Sequence, residues 1–255
     1  MGKIKTAAEI AAMREAGRIV ARALAAVKAH AGVGVSLKEL DAVAASVFSD
    51  AGAVPAFLNY HPRWAPIPFP GVICASVNDA VVHGIPHGYK LADGDLVSID
   101  AGAFLDGWCG DAAISFTVGD GRPEDVALIA ATDAALARGI EAARIGNTMG
   151  HIGHAIEKQA RREGYGLLAD HGGHGIGRAM HEEPPVPNEG RPGRGIKLTE
   201  GLVIAIEPML IAGGCDDYQH ANDGWTLLSL KGKRAAHSEH TVAITADGPV
   251  ILTLP

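Results

Sequence analysis

Positive charge is in short supply in this sequence: 22 Lys and Arg stand against 29 Asp and Glu, for a formal net charge of -7. Attraction to phosphate needs clustered cations, so neither specific nucleic acid nor an anionic membrane is expected as a partner. Cysteine is scarce as well. Cys74, Cys109 and Cys215 are widely spaced, odd in number and without a CxxC pair, which argues against a disulfide framework or a thiolate zinc site and suits a reducing compartment. No stretch approaches the roughly 18 apolar residues of a membrane span. The opening Met1-Gly2-Lys3-Ile4-Lys5-Thr6 runs into a helical pattern with no apolar leader, so the chain is expected to remain in the cytoplasm. Those six residues match the formal myristoylation pattern, which is too permissive to carry weight.

What is present suffices for a large core: 255 residues, 47% of them hydrophobic, exclude disorder as the main state. Thr6-Ala7-Ala8-Glu9 and Ser36-Leu37-Lys38-Glu39 both read as capping boxes. Each precedes an apolar stripe at helical spacing, the first through Ile10, Met13, Gly17, Val20, Leu24 and Val27, the second through Leu40, Val43, Val47 and Phe48 to Gly52. Strands are predicted at residues 72–77 and within 96–118. A helix starting at Pro123 and another over 148–162 then precede strands at 202–206, 226–230 and 241–244. Two halves, 1 to about 118 and about 120 to 255, thus repeat one order of elements without a residue-level repeat. The expectation is an α+β fold, helices covering one face of an antiparallel sheet, in a single domain spanning 1–255.

The chemistry gathers at strand ends. Ser98-Ile99-Asp100-Ala101-Gly102 is followed by a turn at Asp106-Gly107 and by Gly110-Asp111-Ala112, so a hairpin brings Asp100 nearly across from Asp111. Facing carboxylates among Val97, Ile99, Ala112 and Ile114 repel one another and lose solvation unless a proton or cation lies between them. Glu207 ends the apolar run 202–206, and Glu239 immediately precedes another. Singly, each could be an exposed strand-end acid, but four together ask for compensation. His174, in Gly172-Gly173-His174-Gly175-Ile176-Gly177, could add a nitrogen ligand, its small neighbours allowing close approach. This glycine run matches neither GxGxxG nor GxxxxGK[ST], so it is not a phosphate loop. Four carboxylates and a neutral imidazole balance two divalent ions, and the mixed O/N set suits Mn, Fe, Co or Zn.

At this point the sequence resembles the methionine aminopeptidases. The order Asp100, Asp111, His174, Glu207, Glu239 is similar to that family's five metal ligands, and nearly the whole chain shares its surrounding strings. Among them are Ser76-Val77-Asn78-Asp79, His83-Gly84-Ile85-Pro86, His181-Glu182-Glu183-Pro184, Ile206-Glu207-Pro208, Asp223-Gly224-Trp225-Thr226 and Glu239-His240-Thr241. Lack of a long insertion in the second half, and of an N-terminal zinc-finger extension, looks like the short type I form. The resemblance implies a pita-bread fold with two pseudo-symmetric halves, and removal of the initiator methionine from nascent proteins and peptides with a small second residue. It implies that Asp111 and Glu239 bridge two metal ions, that Asp100 holds one and that His174 and Glu207 hold the other. A hydroxide generated between the ions then attacks the scissile amide, with Glu207 as general base and His83 and His181 stabilising the intermediate and aiding the leaving amine. Cys74, Phe69 and Trp225 match methionine-pocket positions, His83 and His181 lie beside the bound substrate, and the chain's own Met1-Gly2 start would qualify as a substrate. Expected partners are N-terminal-Met peptides and nascent chains, with docking at the ribosome left open and the chain a monomer.

The sequence departs from the family in two places. Residues 59–68 lack the Gly-Tyr-containing rim pattern, so either Tyr60 or Trp64 substitutes or the rim differs, and His237 stands, two before Glu239, where the family usually has Gln or another polar residue, a change that bears on the contacts supporting a metal. Other features read more plainly. His151 and His154 are expected to be solvated, His87, His171 and His220 are unassigned, and strand alternation turns His240 to the face opposite Glu239. The Pro/Gly-rich segment 184–195 is either a flap or a surface loop. Cys74 as a nucleophile would leave the carboxylates unexplained. A proline-specific peptidase of the same fold would need a further N-terminal domain, and a non-catalytic relative would have lost ligands.

Overall fold

The computed structural model describes residues 2–255, so Met1 of the opening pattern lies outside the described residues. Both predicted capping boxes form. Thr6 starts α1 (Ala7–His30) and Ser36 starts α2 (Leu37–Asp50), each side chain accepting from the N–H of a Glu whose carboxylate returns to the cap. Pro123 opens α3 (Pro123–Ala142), where its missing N–H costs nothing, and α4 spans Met149–Arg162. His151 is a helix-capping residue: its Nδ1 accepts from the Thr148 N–H at 3.0 Å. Among the described residues no helix is long and apolar enough to cross a membrane.

One antiparallel sheet of nine strands runs through both halves. Its central path is Val54–Pro55, Leu96–Leu105, Trp108–Thr117, Glu239–Thr245, Val203–Ile206, Gly172–Gly175 and Glu182–Pro187, with Ile73–Val77 also paired to Leu96–Leu105 and Gly248–Ile251 to Glu239–Thr245. Helices α1 and α2 bury Val20, Leu24, Leu40 and Phe48 against Ile73, Val97 and Ile99 of the first half. Helices α3 and α4 do the same in the second half, with Leu128, Ile152 and Ile156 against Ile204, Ile206 and Val242. This is the expected α+β arrangement, a curved sheet with helices over it and the helix-helix-sheet order used twice.

The segment around residues 184–195 differs from either expectation for it. Its first part, Glu182–Pro187, is a strand pairing with Gly172–Gly175, despite three prolines. The edge of a sheet tolerates them, because an edge strand need not donate along its outer side. Asn188 then turns inward, and its side-chain amide donates to the Glu207 carbonyl at 3.0 Å.

Helix α1 crosses the sheet at very close range. A Cβ added to Gly110 would lie 2.8 Å from Gly17 Cα, so the helix and strand backbones meet where both residues lack side chains. Gly110→Ala is therefore expected to destabilise the fold by about 1–3 kcal/mol, as overpacking does. Gly32→Ala, at an open position, should stay within about 0.5 kcal/mol. Urea unfolding of the two variants checks this, and equal midpoints would contradict the crossing.

Candidate metal centre

Strand register assembles the site. Cys74 pairs with Asp100, Asp100 with Ala113 and Ala113 with Glu239, so these four positions form one row across four strands on one face. Asp111 pairs with Gly102, not with a residue next to Asp100, because the turn is the tight pair Asp106-Gly107. The two carboxylates are thus diagonal neighbours. An offset of two leaves the face unchanged, since side chains alternate with a period of two. His240 pairs with Ile206, which carries Glu207, one residue beyond that strand, alongside Glu239. Thr241 locks this seam: the Asp111 N–H donates to its Oγ1 at 3.0 Å, and its hydroxyl donates to the Asp111 carbonyl at 2.8 Å.

His174 reaches the row from Gly172–Gly175. A Cβ on Gly173 would sit 2.1 Å from the Ala205 carbonyl oxygen, so only glycine lets the strand approach this closely. His174 Nδ1 lies 2.9 Å from the Gly175 carbonyl, an acceptor, which fixes the proton on Nδ1 and leaves the Nε2 lone pair facing the carboxylates. Asp100, Asp111, His174, Glu207 and Glu239 all line one cavity of about 210 Å³. His83, His181, Cys74, Phe69 and Trp225 line the same cavity, so all ten residues singled out in the sequence come together.

Tyr60 and Trp64, the two rim candidates, both line the cavity, and the structure adds His171, Phe57, Gly172, Met180 and Met209, which the sequence did not assign to it. The Tyr60 ring stacks on His181 with centroids 5.4 Å apart, and Trp64, largely exposed, stacks on His83 at 6.5 Å and meets Trp225 edge-on at 4.9 Å. The rim loop is pinned by the Trp225 Nε1–H donating to the Ile67 carbonyl. His237, the second departure in the sequence, sits against the candidate ligands. It ends a separate short strand, Ala235–His237, two residues before Glu239, and its Nε2 is 3.5 Å from Glu207 Oε2 and 3.8 Å from Glu239 Oε2. His240 faces away, its Nδ1 bonded to Thr253, and His154 is exposed.

Electrostatics mark the chamber as strained for anions. Burial, with the charge of Glu207 adding to it, pushes Asp100 up to about 7, against the opposing influence of His237. Burial and neighbouring carboxylates raise Asp111 and Glu239 well above the ordinary range. Burial also works against an ionised Glu207, but His237, His174 and His181 outweigh it and hold that carboxyl below its usual value. Burial pushes His83 and His181 down to about 4, leaving both imidazoles neutral at pH 7. Burial raises the Cys74 thiol well above its usual value, with Asp100 adding to the effect, so it is no thiolate nucleophile.

Comparison with known proteins agrees with this geometry. Residues 11–246 match metallopeptidase family M24. Methionine aminopeptidase 1 of Mycobacterium tuberculosis is 51% identical over 98% of this chain and 94% of its own length. The crystal structure of methionine aminopeptidase from Thermotoga maritima superposes with a TM-score of 0.95 at 36% identity, covering 100% of both chains. The chain belongs to the type I methionine aminopeptidases of family M24. A prolidase from Pyrococcus furiosus shares the fold, with a TM-score of 0.79 at 24% identity, but this chain covers only 65% of it.

The donors fit the divalent ions that the family implies. Asp100 Oδ1, Asp111 Oδ1, Glu239 Oε1 and His237 Nε2 are buried without hydrogen-bond partners among the described residues. Two triads, Asp111/His174/Glu239 and Glu207/His237/Glu239, each hold their ligand atoms within 4.8 Å of one another and share Glu239, as suits a dinuclear site. Separations from His174 Nε2 of 3.9 Å to Asp111 Oδ2 and 3.7 Å to Glu207 Oε1 are too long for hydrogen bonds. They approach the spacing of about 3.4 Å between two ligands of one tetrahedral ion with bonds near 2.1 Å.

The same groups set a pH dependence for protein stripped of divalent ions. Asp100, with a folded value of about 7 against an ordinary 3.8, binds more proton in the folded than in the unfolded state between those limits. Stability therefore falls as pH rises through that window, and raised Asp111 and Glu239 extend the loss upward. Depressed His83 and His181 act in the opposite sense, but only between about 4 and 6.5. Chelator-treated protein should thus unfold at lower urea at about pH 8 than at about pH 6.5, and excess Mn should abolish the difference. Equal midpoints without metal would contradict the burial of these acids in the unliganded chamber.

Proposed function

We propose that this chain is a metal-dependent methionyl aminopeptidase that removes the initiator methionine from nascent proteins and peptides carrying a small second residue. The observation that carries the reading is the convergence of five candidate ligands, two neutral imidazoles and an aromatic, sulfur-bearing pocket in one cavity. The 51% identity to a methionine aminopeptidase over almost the full chain supports it. Asp111 and Glu239 would hold both ions, Asp100 one, and His174 with Glu207 the other. When bound, such ions polarise a carbonyl oxygen and lower the pKa of water from 15.7 toward about 7.

The protein's own groups account for the rest of the reaction. Phe69, Trp225 and Cys74 offer the methionine side chain an apolar surface, and aromatic and sulfur contacts suit its polarizable thioether. Glu207, an ionised carboxylate at neutral pH, takes the proton of the attacking water and can return it to the leaving amine. His83 and His181, neutral at that pH, donate an N–H toward the oxygen that gains charge during attack, without competing for the water's proton. His83 Nδ1 is buried and unpartnered, which leaves it free for substrate.

The reading extends to the whole of 1–255 as one catalytic domain. In its support, Asp100 and Asp111 come from one half and His174, Glu207 and Glu239 from the other, within one continuous sheet. It includes a monomer, since one chain supplies every site residue, working on nascent chains with docking at the ribosome as the source of substrate. It also includes the cytoplasm, in keeping with three free cysteines, two of them buried.

Metal-loaded protein should release methionine from Met-Ala-Ser in preference to Met-Leu-Ser and leave Xaa-Pro peptides intact, with chelator abolishing release. Cleavage of the Xaa-Pro peptides alone would replace this reading with a proline-directed one. Glu207→Gln and His174→Ala should each lower kcat by about 10²–10⁴ while the circular dichroism spectrum is retained. Trp64→Ala, which clears the rim beside His83, should narrow the preference for Met-Ala-Ser over Met-Leu-Ser by up to about tenfold.

A further inference from the structure

We propose that His237 is itself a metal ligand, so that the centre carries two imidazoles. This rests on the dinuclear reading above and goes beyond the five ligands assigned to it. Three observations carry it. The side chain is 2% exposed, and its Nε2 has no hydrogen-bond partner among the described residues, so a buried ring nitrogen stands unmet beside two of the chamber's carboxylates. Its separations of 3.5 Å from Glu207 Oε2 and 3.8 Å from Glu239 Oε2 match those of His174 from its carboxylates, 3.7 and 3.9 Å. The two oxygens of Glu207 therefore each face a different imidazole. Finally, Glu207, His237 and Glu239 hold their ligand atoms within 4.8 Å of one another, as do Asp111, His174 and Glu239.

An imidazole that only steadied Glu207 would be expected to close to a charge-assisted hydrogen bond of about 2.7–2.9 Å. His237 instead stands back from both carboxylates by the distance that a shared cation occupies. The backbone holds it there. Its N–H donates to Ser115 Oγ at 3.0 Å, and the Ser115 hydroxyl donates to its carbonyl at 2.8 Å, which ties residue 237 to the strand that carries Asp111. A second nitrogen donor leaves the charge balance untouched but moves the site toward Zn, Co and Fe and away from Mn, which prefers oxygen.

The decisive measurement needs no variant. Protein labelled with nitrogen-15 histidine is stripped of metal and loaded with two equivalents of cadmium-113, and one-bond cadmium–nitrogen couplings are counted by NMR. Two coupled imidazoles are expected, one of which disappears in His237→Gln. In a chelator competition, that variant should also lose at least about tenfold in zinc affinity at one of two sites, with a smaller change for manganese. A single coupled imidazole with two cadmium ions bound would overturn this assignment and leave the dinuclear reading intact. Absence of cadmium uptake would overturn both.

Discussion

Four carboxylates that share one buried chamber repel one another, and much of this molecule can be read as a response to that repulsion. Removing a single charge from water costs several kcal/mol, and placing like charges together adds to it. With no cation, Asp100, Asp111 and Glu239 keep protons well past the ordinary carboxylate range. Two divalent ions cancel the charge and satisfy the orphaned oxygens together. Binding and folding are then coupled: whatever stabilises the ligands in place is also what makes the chamber affordable to bury.

The fold's contribution is a face of the sheet left free of helices. Two helix pairs seal the other side with large aliphatic cores, so that the strands can carry polar side chains inward without exposing their backs. Antiparallel register then gathers residues from distant parts of the chain into a row. Thr241 stitches the two halves at that row, while glycines beside His174 and beneath α1 let backbones approach where side chains would hold them apart. A catalytic centre built at the seam between two halves is rigid because neither half can move without breaking sheet pairing.

The substrate side is organised by aromatic rings. Tyr60 and Trp64, four residues apart in one short rim loop, each lie over a histidine of the cavity, and the loop is anchored to Trp225. The rings exclude water around His83 and His181, and the same desolvation keeps those imidazoles neutral. Pocket shape and proton inventory are therefore set by one group of contacts.

Local signals decided the elements. Capping boxes at Thr6 and Ser36, Pro123 at a helix start and Asp106-Gly107 between two apolar runs each act within a few residues, so they can be read without knowing the fold. The acids ending apolar strands were legible for a related reason: a charge beside a hydrophobic run is anomalous wherever it occurs. Register was not so legible. The diagonal placement of Asp100 and Asp111 and the strand formed by the proline-rich residues 182–187 each depended on partners that the local pattern does not name. His237 shows the boundary most clearly. Spacing along the chain puts it two residues before Glu239, but only the packing of separate strands sets its Nε2 beside two carboxylates with no other partner among the described residues. Sequence by itself determined which residues are anomalous enough to be functional. Tertiary structure decided which of them meet, because distances between side chains on separate strands are set by pairing and packing and not by spacing along the chain.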